Sequence, residues 1–226
     1  MDSPPLYIII PYRARGVNEF RKNQYDMLLP HLVNYLDGTP YTVLVIEQND
    51  DLPFNRGKLF NIGMLEAKKL CGSTEVGAAY FCHQNVDLIP TTVEYKHYGP
   101  GFTDIYGYPG GLGAMYFCDY ASYETVNGYP NDLYGWGMDD TALMERCNRE
   151  HVPINRSAYN NKSVIELDPQ LRHLIDGTNH DLNRQKMDTD LRNDVYKTNG
   201  LNSCEYSIAS VEHKKEQNSY HYLVNL

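Results

Sequence analysis

Short apolar runs alternate with amphipathic stretches along the first 90 residues. The runs at residues 6–10, 41–46 and 78–82 are rich in β-branched or aromatic side chains, which is typical of strands buried on both faces of a parallel sheet. Between them, apolar residues recur near helical spacing and predict helices over residues 18–36 and 59–70. This alternation predicts an α/β protein with a mainly parallel central sheet flanked by helices.

Polar loops follow each of the three predicted strands. They begin at Pro11, Glu47 and His83, and the last contains Asn85 and Asp87. Ligands of open parallel sheets bind outside the carboxyl ends of the strands, so we expect a binding site where these loops meet. A carboxylate such as Asp87 suits a hard divalent cation that holds phosphate oxygens. A lone aspartate after a strand is, however, more often a turn-capping residue.

The second half of the chain is less regular. Residues 99–113 are rich in glycine, tyrosine and proline, which indicates turns and close approaches of the backbone. Residues 139–151 have helical character, and residues 176–197 predict a charged surface helix. No repeat, low-complexity tract or linker divides the chain. One domain is therefore the economical interpretation.

Composition and charge exclude several classes of protein. The chain has 226 residues with a formal net charge of −9, which argues against non-specific binding to nucleic acid. No segment approaches the ~20 apolar residues of a membrane span, and the first residues do not form a signal peptide. The five cysteines lack a paired CxxC spacing and predict no disulfide framework. We expect a protein of a reducing compartment with no nucleic-acid partner and no membrane span.

The single tryptophan lies beside two acidic residues. Trp136 stands between two glycines, and Asp139 and Asp140 follow at the predicted start of a helix. These acids could simply cap the helix and complement its dipole. Alternatively, a carboxylate fixed beside an aromatic ring could bind a sugar hydroxyl and take its proton. The spacing alone leaves the two interpretations about even.

Several arginines and one histidine are further candidates. Arg13, Arg15 and Arg56 each lie near a predicted strand end and could clamp phosphates with their forked donors. Arginines in loops are also commonly only surface charge. His173 lies in a polar region, and one histidine does not define a metal site.

Five segments, taken in order, resemble the catalytic domain of the β-1,4-galactosyltransferases, a family of inverting, metal-dependent enzymes that use UDP-galactose. They are residues 8–15 (IIIPYRAR), 54–63 (FNRGKLFNIG), 85–90 (NVDLIP), 127–140 (NGYPNDLYGWGMDD) and 172–173 (RH). A closing GLNS segment at residues 200–203 resembles the last shared motif of the family. The resemblance therefore covers nearly the whole chain.

The resemblance implies a single GT-A-type catalytic domain over residues 1–226, with the nucleotide-sugar site at the carboxyl edge of the strands. Residues 6–90 would form the nucleotide-binding half, and residues 91–206 the half for the donor sugar and acceptor. Residues 207–226 would be a C-terminal extension.

The same resemblance assigns roles to individual residues. Asp140 matches the catalytic base. Asp87 and His173 match the metal ligands, and oxygen plus imidazole ligands suit Mn²⁺, with Mg²⁺ as the alternative ion. The implied nucleotide contacts are Pro11, Tyr12, Arg13, Arg15, Phe54, Arg56, Val86 and Asp87. The implied contacts with the donor or acceptor sugar are Tyr108, Gly111, Trp136, Asp139 and Asp140.

Three positions depart from the family pattern. Asn85 replaces the first acid of a DxD motif, Gln170 stands where some members have a methionine ligand, and Thr141 replaces an acid that helps to hold the acceptor. These departures motivate a rival hypothesis, a catalytically inactive protein that binds a sugar nucleotide or glycan.

The leading hypothesis is transfer of galactose from UDP-galactose to a hydroxyl of a glycan or glycoconjugate acceptor, with a β-1,4 linkage. A second is the same chemistry with UDP-GalNAc or UDP-glucose, because pocket shape rather than fold decides the donor. The membrane anchor and stem of animal members are not recognisable in this sequence. We therefore expect a cytoplasmic, bacterial or virus-encoded enzyme, and a Golgi protein only if the chain is a fragment.

Overall fold

The computed structural model describes residues 4–14, 19–72, 76–167, 169–170 and 179–226. The strands are β1 (Leu6–Tyr12), β2 (Tyr41–Gln48), β3 (Tyr80–Gln84), β4 (Leu88–Pro90), β5 (Phe102–Tyr106), β6 (Met115–Asp119), β7 (Ile154–Asn155), β8 (Val164–Glu166), β9 (Ser207–Lys214) and β10 (Ser219–Asn225). The α-helices are α1 (Glu19–Tyr35), α2 (Arg56–Cys71), α3 (Tyr120–Thr125), α4 (Asp139–Arg149) and α5 (His180–Arg192).

Eight strands form one sheet in the order β7-β5-β6-β3-β1-β2-β10-β9. Its centre is parallel, because β1 pairs in parallel with both β2 and β3, and β10 pairs in parallel with β2. The antiparallel strands β6 and β9 flank this centre. The predicted α/β architecture with a mainly parallel central sheet is therefore confirmed.

The side chains of β1 show how helices cover both faces of the sheet. Ile8 and Ile10 belong to a buried cluster that also contains the apolar residues of α1. The intervening Ile9 belongs to a second cluster with the apolar residues of α2. Because side chains alternate along a strand, a continuous apolar run serves two cores at once.

Several element boundaries differ from those that the sequence pattern predicts, and two of them lie at the carboxyl edge of the sheet. β1 continues through Pro11 to Tyr12, because the β1–β3 pairing ends at Ile9 and Pro11 lies where β1 pairs with β2 alone. α2 begins at Arg56, three residues early, because the side chain of Asn55 accepts a hydrogen bond from the Lys58 amide and caps the helix. This cap places Arg56 at the carboxyl edge of the sheet.

The last residues of the chain are part of the sheet. Residues 207–226, predicted as an extension, contain β9 and β10, and β10 lies beside β2. In the described part of the chain, no helix combines the length and apolar character needed to cross a membrane.

Candidate active site

Two loops meet at the carboxyl edge of β3. β6 runs antiparallel to β3, and its first residue, Met115, is paired with Gln84. The loop that precedes β6 therefore meets the loop that follows β3, and the Asn85 amide donates to the Ala114 carbonyl over 3.0 Å. This contact joins the segment containing Asp87 to the glycine-rich segment that ends at Gly113.

Arg56 connects three distant segments at this edge. Its Nε donates to Asp139 Oδ2 over 2.8 Å, and its Nη1 donates to Asn85 Oδ1 over 3.3 Å. A third, short contact joins its Nη2 to the carboxylate of Asp140. One guanidinium thus meets the side chains of both predicted sugar-contacting acids and of the residue two positions before Asp87.

Charge around Arg56 favours its protonated form. Burial of the guanidinium is the largest single influence and lowers its pKa, but the charge and hydrogen bond of Asp139, together with nearby tyrosines, outweigh burial, so the pKa of Arg56 is raised. The side chain is only 17% exposed. Arg56 is therefore a fixed positive charge between two carboxylates.

Amide side chains hold the two most specific sequence segments together. Asn55 Nδ2 donates to the Asn131 carbonyl over 2.8 Å, and Asn61 Nδ2 donates to the Tyr129 carbonyl over 2.8 Å. The Gly135 amide donates to the Phe54 carbonyl over 2.7 Å. The asparagines of residues 54–63 thus have a structural role, because their side chains hydrogen-bond to residues 127–140. The sequence pattern did not predict this role.

Glycines make room for Asp140 in the first turn of α4. A Cβ on Gly113 would lie 1.8 Å from Asp140 Oδ1, and a Cβ on Gly111 would lie 2.7 Å from Asp140 Cβ. The Leu112 amide also donates to the Asp140 carbonyl over 3.0 Å. The close backbone approaches predicted for residues 99–113 therefore lie against the predicted base, and Gly113 was missed as a site residue.

Arg156 holds the same glycine-rich loop through hydrogen bonds to its backbone. Its guanidinium donates to the carbonyls of Pro109 and Gly111 over 2.6 and 2.9 Å. It also pairs with Asp104 over 3.2 Å, and Asp104 is only 1% exposed. Burial raises the pKa of Asp104 to about 6, while Arg156 opposes this rise. No sequence motif pointed to this pair.

Asp87 is the described residue that best fits a cation. It is 7% exposed, and its Oδ2 accepts a hydrogen bond from Arg21 Nη1 over 2.9 Å. Its Oδ1 is buried without a hydrogen-bond partner among the described residues. An unpaired buried carboxylate oxygen is costly, and a bound divalent ion would satisfy it.

No group of three or more histidine, cysteine or acidic side chains forms a metal site within the described ranges. Two residues named by the resemblance, Arg15 and His173, lie outside those ranges. Gln170 is exposed. The ligand set of Asp87 and His173 therefore stays a prediction.

The predicted nucleotide contacts occupy different environments. Pro11 and Tyr12 are buried at the end of β1, and the Tyr12 ring stacks on Tyr25 at 4.9 Å. The Arg13 guanidinium donates to the Leu52 carbonyl over 2.7 Å. Val86 is buried, and Phe54 packs against the core cluster that contains α2.

The predicted sugar contacts with aromatic rings are open to solvent. Tyr108 is 68% exposed and Trp136 is 54% exposed. Exposed aromatic faces of this kind can stack against the apolar face of a sugar. Trp136 is flanked by Gly135 and Gly137, which both have positive φ angles, a conformation that favours glycine.

Family models match the chain without a gap from residue 4 to residue 168. A model described as the N-terminal region of glycosyl transferase group 7 matches residues 4–98. A model described as the N-terminal domain of galactosyltransferase matches residues 99–168. Fold and matches together define a glycosyltransferase domain.

Curated relatives narrow this class. The chain is 30% identical to mouse β-1,4-galactosyltransferase 4 over 221 residues, which are 91% of this chain and 59% of the relative. It is 31% identical to the xylosylprotein 4-beta-galactosyltransferase of Caenorhabditis elegans over 164 residues, which are 67% of this chain and 53% of the relative. The chain belongs to the β-1,4-galactosyltransferase family. It spans between half and three-fifths of the length of these two relatives.

Solved structures share the fold. The catalytic domain of Drosophila β1,4-galactosyltransferase 7, complexed with xylobiose, superposes with a TM-score of 0.78 at 18% identity over 98% of this chain and 94% of that chain. A variant of that enzyme, complexed with manganese, UDP-Gal and xylobiose, gives a TM-score of 0.72 at 17% identity over the same shares of the two chains. These matches confirm the GT-A-type fold.

The relatives correct one prediction. We expected a cytoplasmic, bacterial or virus-encoded enzyme, but the relatives at about 30% identity are animal β-1,4-galactosyltransferases, from mouse, human and nematode. That expectation is wrong. The expectation relied on the failure to recognise a membrane anchor and stem in this sequence. A chain that matches only part of its relatives gives no information about what lies beyond its ends.

Proposed function

We propose that this chain transfers galactose from UDP-galactose to a hydroxyl of a glycan or glycoconjugate acceptor, with inversion and a β-1,4 linkage. The observation that carries this proposal is the contact of Arg56 with Asn85, Asp139 and Asp140. It brings the predicted nucleotide-binding segment and the predicted acceptor segment to one point at the carboxyl edge of the sheet. Membership of the family supports the same chemistry.

Asp87 and His173 would hold a divalent metal ion, Mn²⁺ or alternatively Mg²⁺. The unpartnered Oδ1 of Asp87 supports this assignment, as does the manganese in the Drosophila complex. When bound, the ion supplies positive charge that neutralises the diphosphate of the donor. His173→Ala should raise the Mn²⁺ concentration needed for half-maximal activity at least about tenfold. An unchanged metal titration would remove His173 from the ligand set.

Arg56 would exchange partners during the reaction. Without donor, its charge is balanced by the two carboxylates of Asp139 and Asp140. A diphosphate beside Asn85 would compete for the same guanidinium, since arginine forms strong forked contacts with phosphate. Once Arg56 releases Asp140, the carboxylate of Asp140 would be free to accept a proton.

Asp140 would act as the general base. Its carboxylate would take the proton of the acceptor hydroxyl while that oxygen attacks the anomeric carbon of galactose. The bond from this carbon to the diphosphate oxygen would break, and UDP would leave with the electron pair. Attack opposite the leaving group gives inversion. Gly111 and Gly113 would keep Asp140 in position.

The nucleotide would lie against residues 6–90, near Pro11, Tyr12, Arg13, Arg15, Phe54 and Val86. Residues 91–206 would contact the sugars, with Tyr108 and Trp136 as aromatic surfaces. These boundaries and contacts follow from the resemblance and remain proposals.

A donor panel tests the function. UDP release would be measured with UDP-galactose, UDP-GalNAc and UDP-glucose, with Mn²⁺ and a set of mono- and disaccharide acceptors that includes xylobiose. We expect the fastest release with UDP-galactose and a product whose linkage analysis gives β-1,4. Faster release with another donor would favour the second hypothesis. Absence of both transfer and donor hydrolysis, with UDP still bound, would favour the inactive binding protein.

A further inference from the structure

The loop that carries Trp136 is held by the first two turns of α5. The buried side chain of Asn183, 1% exposed, donates through Nδ2 to the carbonyls of Tyr134 and Gly137 over 3.1 and 3.0 Å. Asn179 Nδ2 donates to the same Tyr134 carbonyl over 3.1 Å. Two asparagines of one helix end thus fix the backbone on both sides of Trp136.

A ring of the same helix fixes the indole itself. The His180 imidazole stacks on Trp136 with a centroid distance of 5.9 Å and an interplanar angle of 27°. The fit is close, because a Cβ on Gly137 would lie 3.1 Å from His180 Cδ2. His180 nevertheless stays 35% exposed. Both rings therefore reach solvent, and Trp136 shortly precedes Asp140 of the first turn of α4 in the sequence.

We propose that His180 and Asn183 are positioning residues that set the indole plane of Trp136 for a pyranose ring of the acceptor. The inference rests on the proposed function and goes further, because it assigns part of acceptor selection to α5. An indole can stack on the apolar face of a sugar only when its plane matches the sugar ring. The asparagines fix the position of the loop, and the imidazole fixes the tilt of the indole.

The placement of α5 explains why this role would concern the acceptor and not the donor. Asn179, His180 and Asn183 contact only the backbone or ring of residues 134–137 in the contacts described above. The nucleotide contacts implied by the resemblance lie instead at the end of β1, at the start of α2 and in the loop that follows β3. A change in α5 should therefore alter acceptor use and leave the binding of UDP-galactose largely unaltered.

The experiment uses the single tryptophan as a reporter. The wild type would be compared with His180→Ala, which removes the ring, and with His180→Phe, which keeps a ring over the indole. His213→Ala is the matched control, because His213 stacks on Tyr220 at 4.2 Å in the C-terminal hairpin. Acrylamide quenching of tryptophan emission and the kinetics of UDP release would be measured for each protein.

We expect His180→Ala to increase quenching and to raise the acceptor KM about two- to tenfold, with the donor KM and kcat little changed. His180→Phe should restore both, and His213→Ala should match the wild type. Asn183→Asp, which keeps the size of the side chain but removes its donor, should raise the acceptor KM in the same direction. A merely structural role would instead lower kcat and the folded fraction together.

Two results would overturn the inference. One is unchanged quenching in His180→Ala, and the other is an unchanged acceptor KM in an active His180→Ala protein. A wild type that releases no UDP from any donor would overturn the proposed function itself, and the quenching data would still report whether His180 covers Trp136.

Discussion

Two arginines, Arg146 fully buried and Arg56 partly buried, occupy opposite kinds of environment. Arg146 of α4 is 1% exposed and donates to the carbonyls of Asn127, Gly128 and Asn199 over 3.1, 2.9 and 2.7 Å. Among the described residues, its carboxylate partner is Asp190, 3.3 Å away. Arg56 has no such set of carbonyls, and its described partners are two carboxylates and one amide side chain.

The electrostatic consequences are opposite. Burial lowers the pKa of Arg146 to about 10, and the charge of Asp190 only partly offsets this effect. The pKa of Arg56 is raised despite its burial, chiefly by the charge of Asp139. Arg146 therefore joins fixed backbone groups and stabilises the fold. Arg56 joins side chains at the sheet edge, and the proposed diphosphate would compete with them for its guanidinium.

The largest effect should follow from removing the base that Arg56 pairs with. Asp140→Asn keeps the size of the side chain and should lower kcat about 10²–10⁴-fold, with UDP binding little changed. Steady-state kinetics and titration with UDP would measure both. Turnover at the wild-type level would contradict the assignment of Asp140 as base.

The next effect concerns Arg56 itself. Arg56→Lys keeps the charge but loses the fork that reaches three partners at once. We expect kcat/KM for the donor to fall about 10–10³-fold and the melting temperature to change little. Arg149→Lys on the exposed surface of α4 is the control. A stable Arg56→Lys protein with unaltered donor kinetics would contradict the proposed role of Arg56 in donor binding, and with it the contrast with Arg146.

The same substitution at Arg146 should act on stability. Arg146→Lys leaves buried carbonyls without donors, and we expect the free energy of unfolding to fall by about 3 kcal/mol. Residual folded protein should keep a near-normal donor KM. Denaturant unfolding would measure the first and UDP release the second. A loss of activity without loss of stability would show that Arg146 belongs to the site.

The smallest effect concerns Asp104, a buried acid paired with Arg156. Its folded-state pKa of about 6 lies above the ordinary value of 3.8, so the folded protein holds this proton more tightly than the unfolded chain. Its ionisation should therefore lower the free energy of unfolding as pH rises from about 4 to 6. Asp104→Asn should remove this part of the pH dependence, measured by denaturant unfolding at several pH values. An unchanged dependence of the unfolding free energy on pH would mean that Asp104 has its ordinary pKa in the folded protein.

The sequence pattern predicted the parts of the fold that local periodicity determines. The strands β1 to β3 and the helices α1, α2 and α4 have continuous apolar runs or helical apolar faces. The pairing of β10 with β2 was not predictable, because it joins residues more than 170 positions apart. The continuation of β1 through Pro11 depends likewise on where β3 stops pairing.

The candidate site was predictable to the extent that motifs carry it. Arg56 and Asp140 belong to segments that resemble family motifs, and the structure brings them together. Gly113 and Asn183 were missed, because each acts through partners far along the chain and no local pattern marks them. Hydrophobic periodicity predicts which residues are buried, but it does not predict which buried polar groups form hydrogen bonds with each other.

A crystal structure with UDP and Mn²⁺ tests the central claim most directly. The account predicts that the diphosphate lies between Arg56 and Asp87, and that the guanidinium of Arg56 has left the carboxylate of Asp140 to contact it. The contacts of Arg146 should be unchanged. UDP bound away from this edge, or an Arg56 still paired with both acids beside a bound diphosphate, would contradict the account.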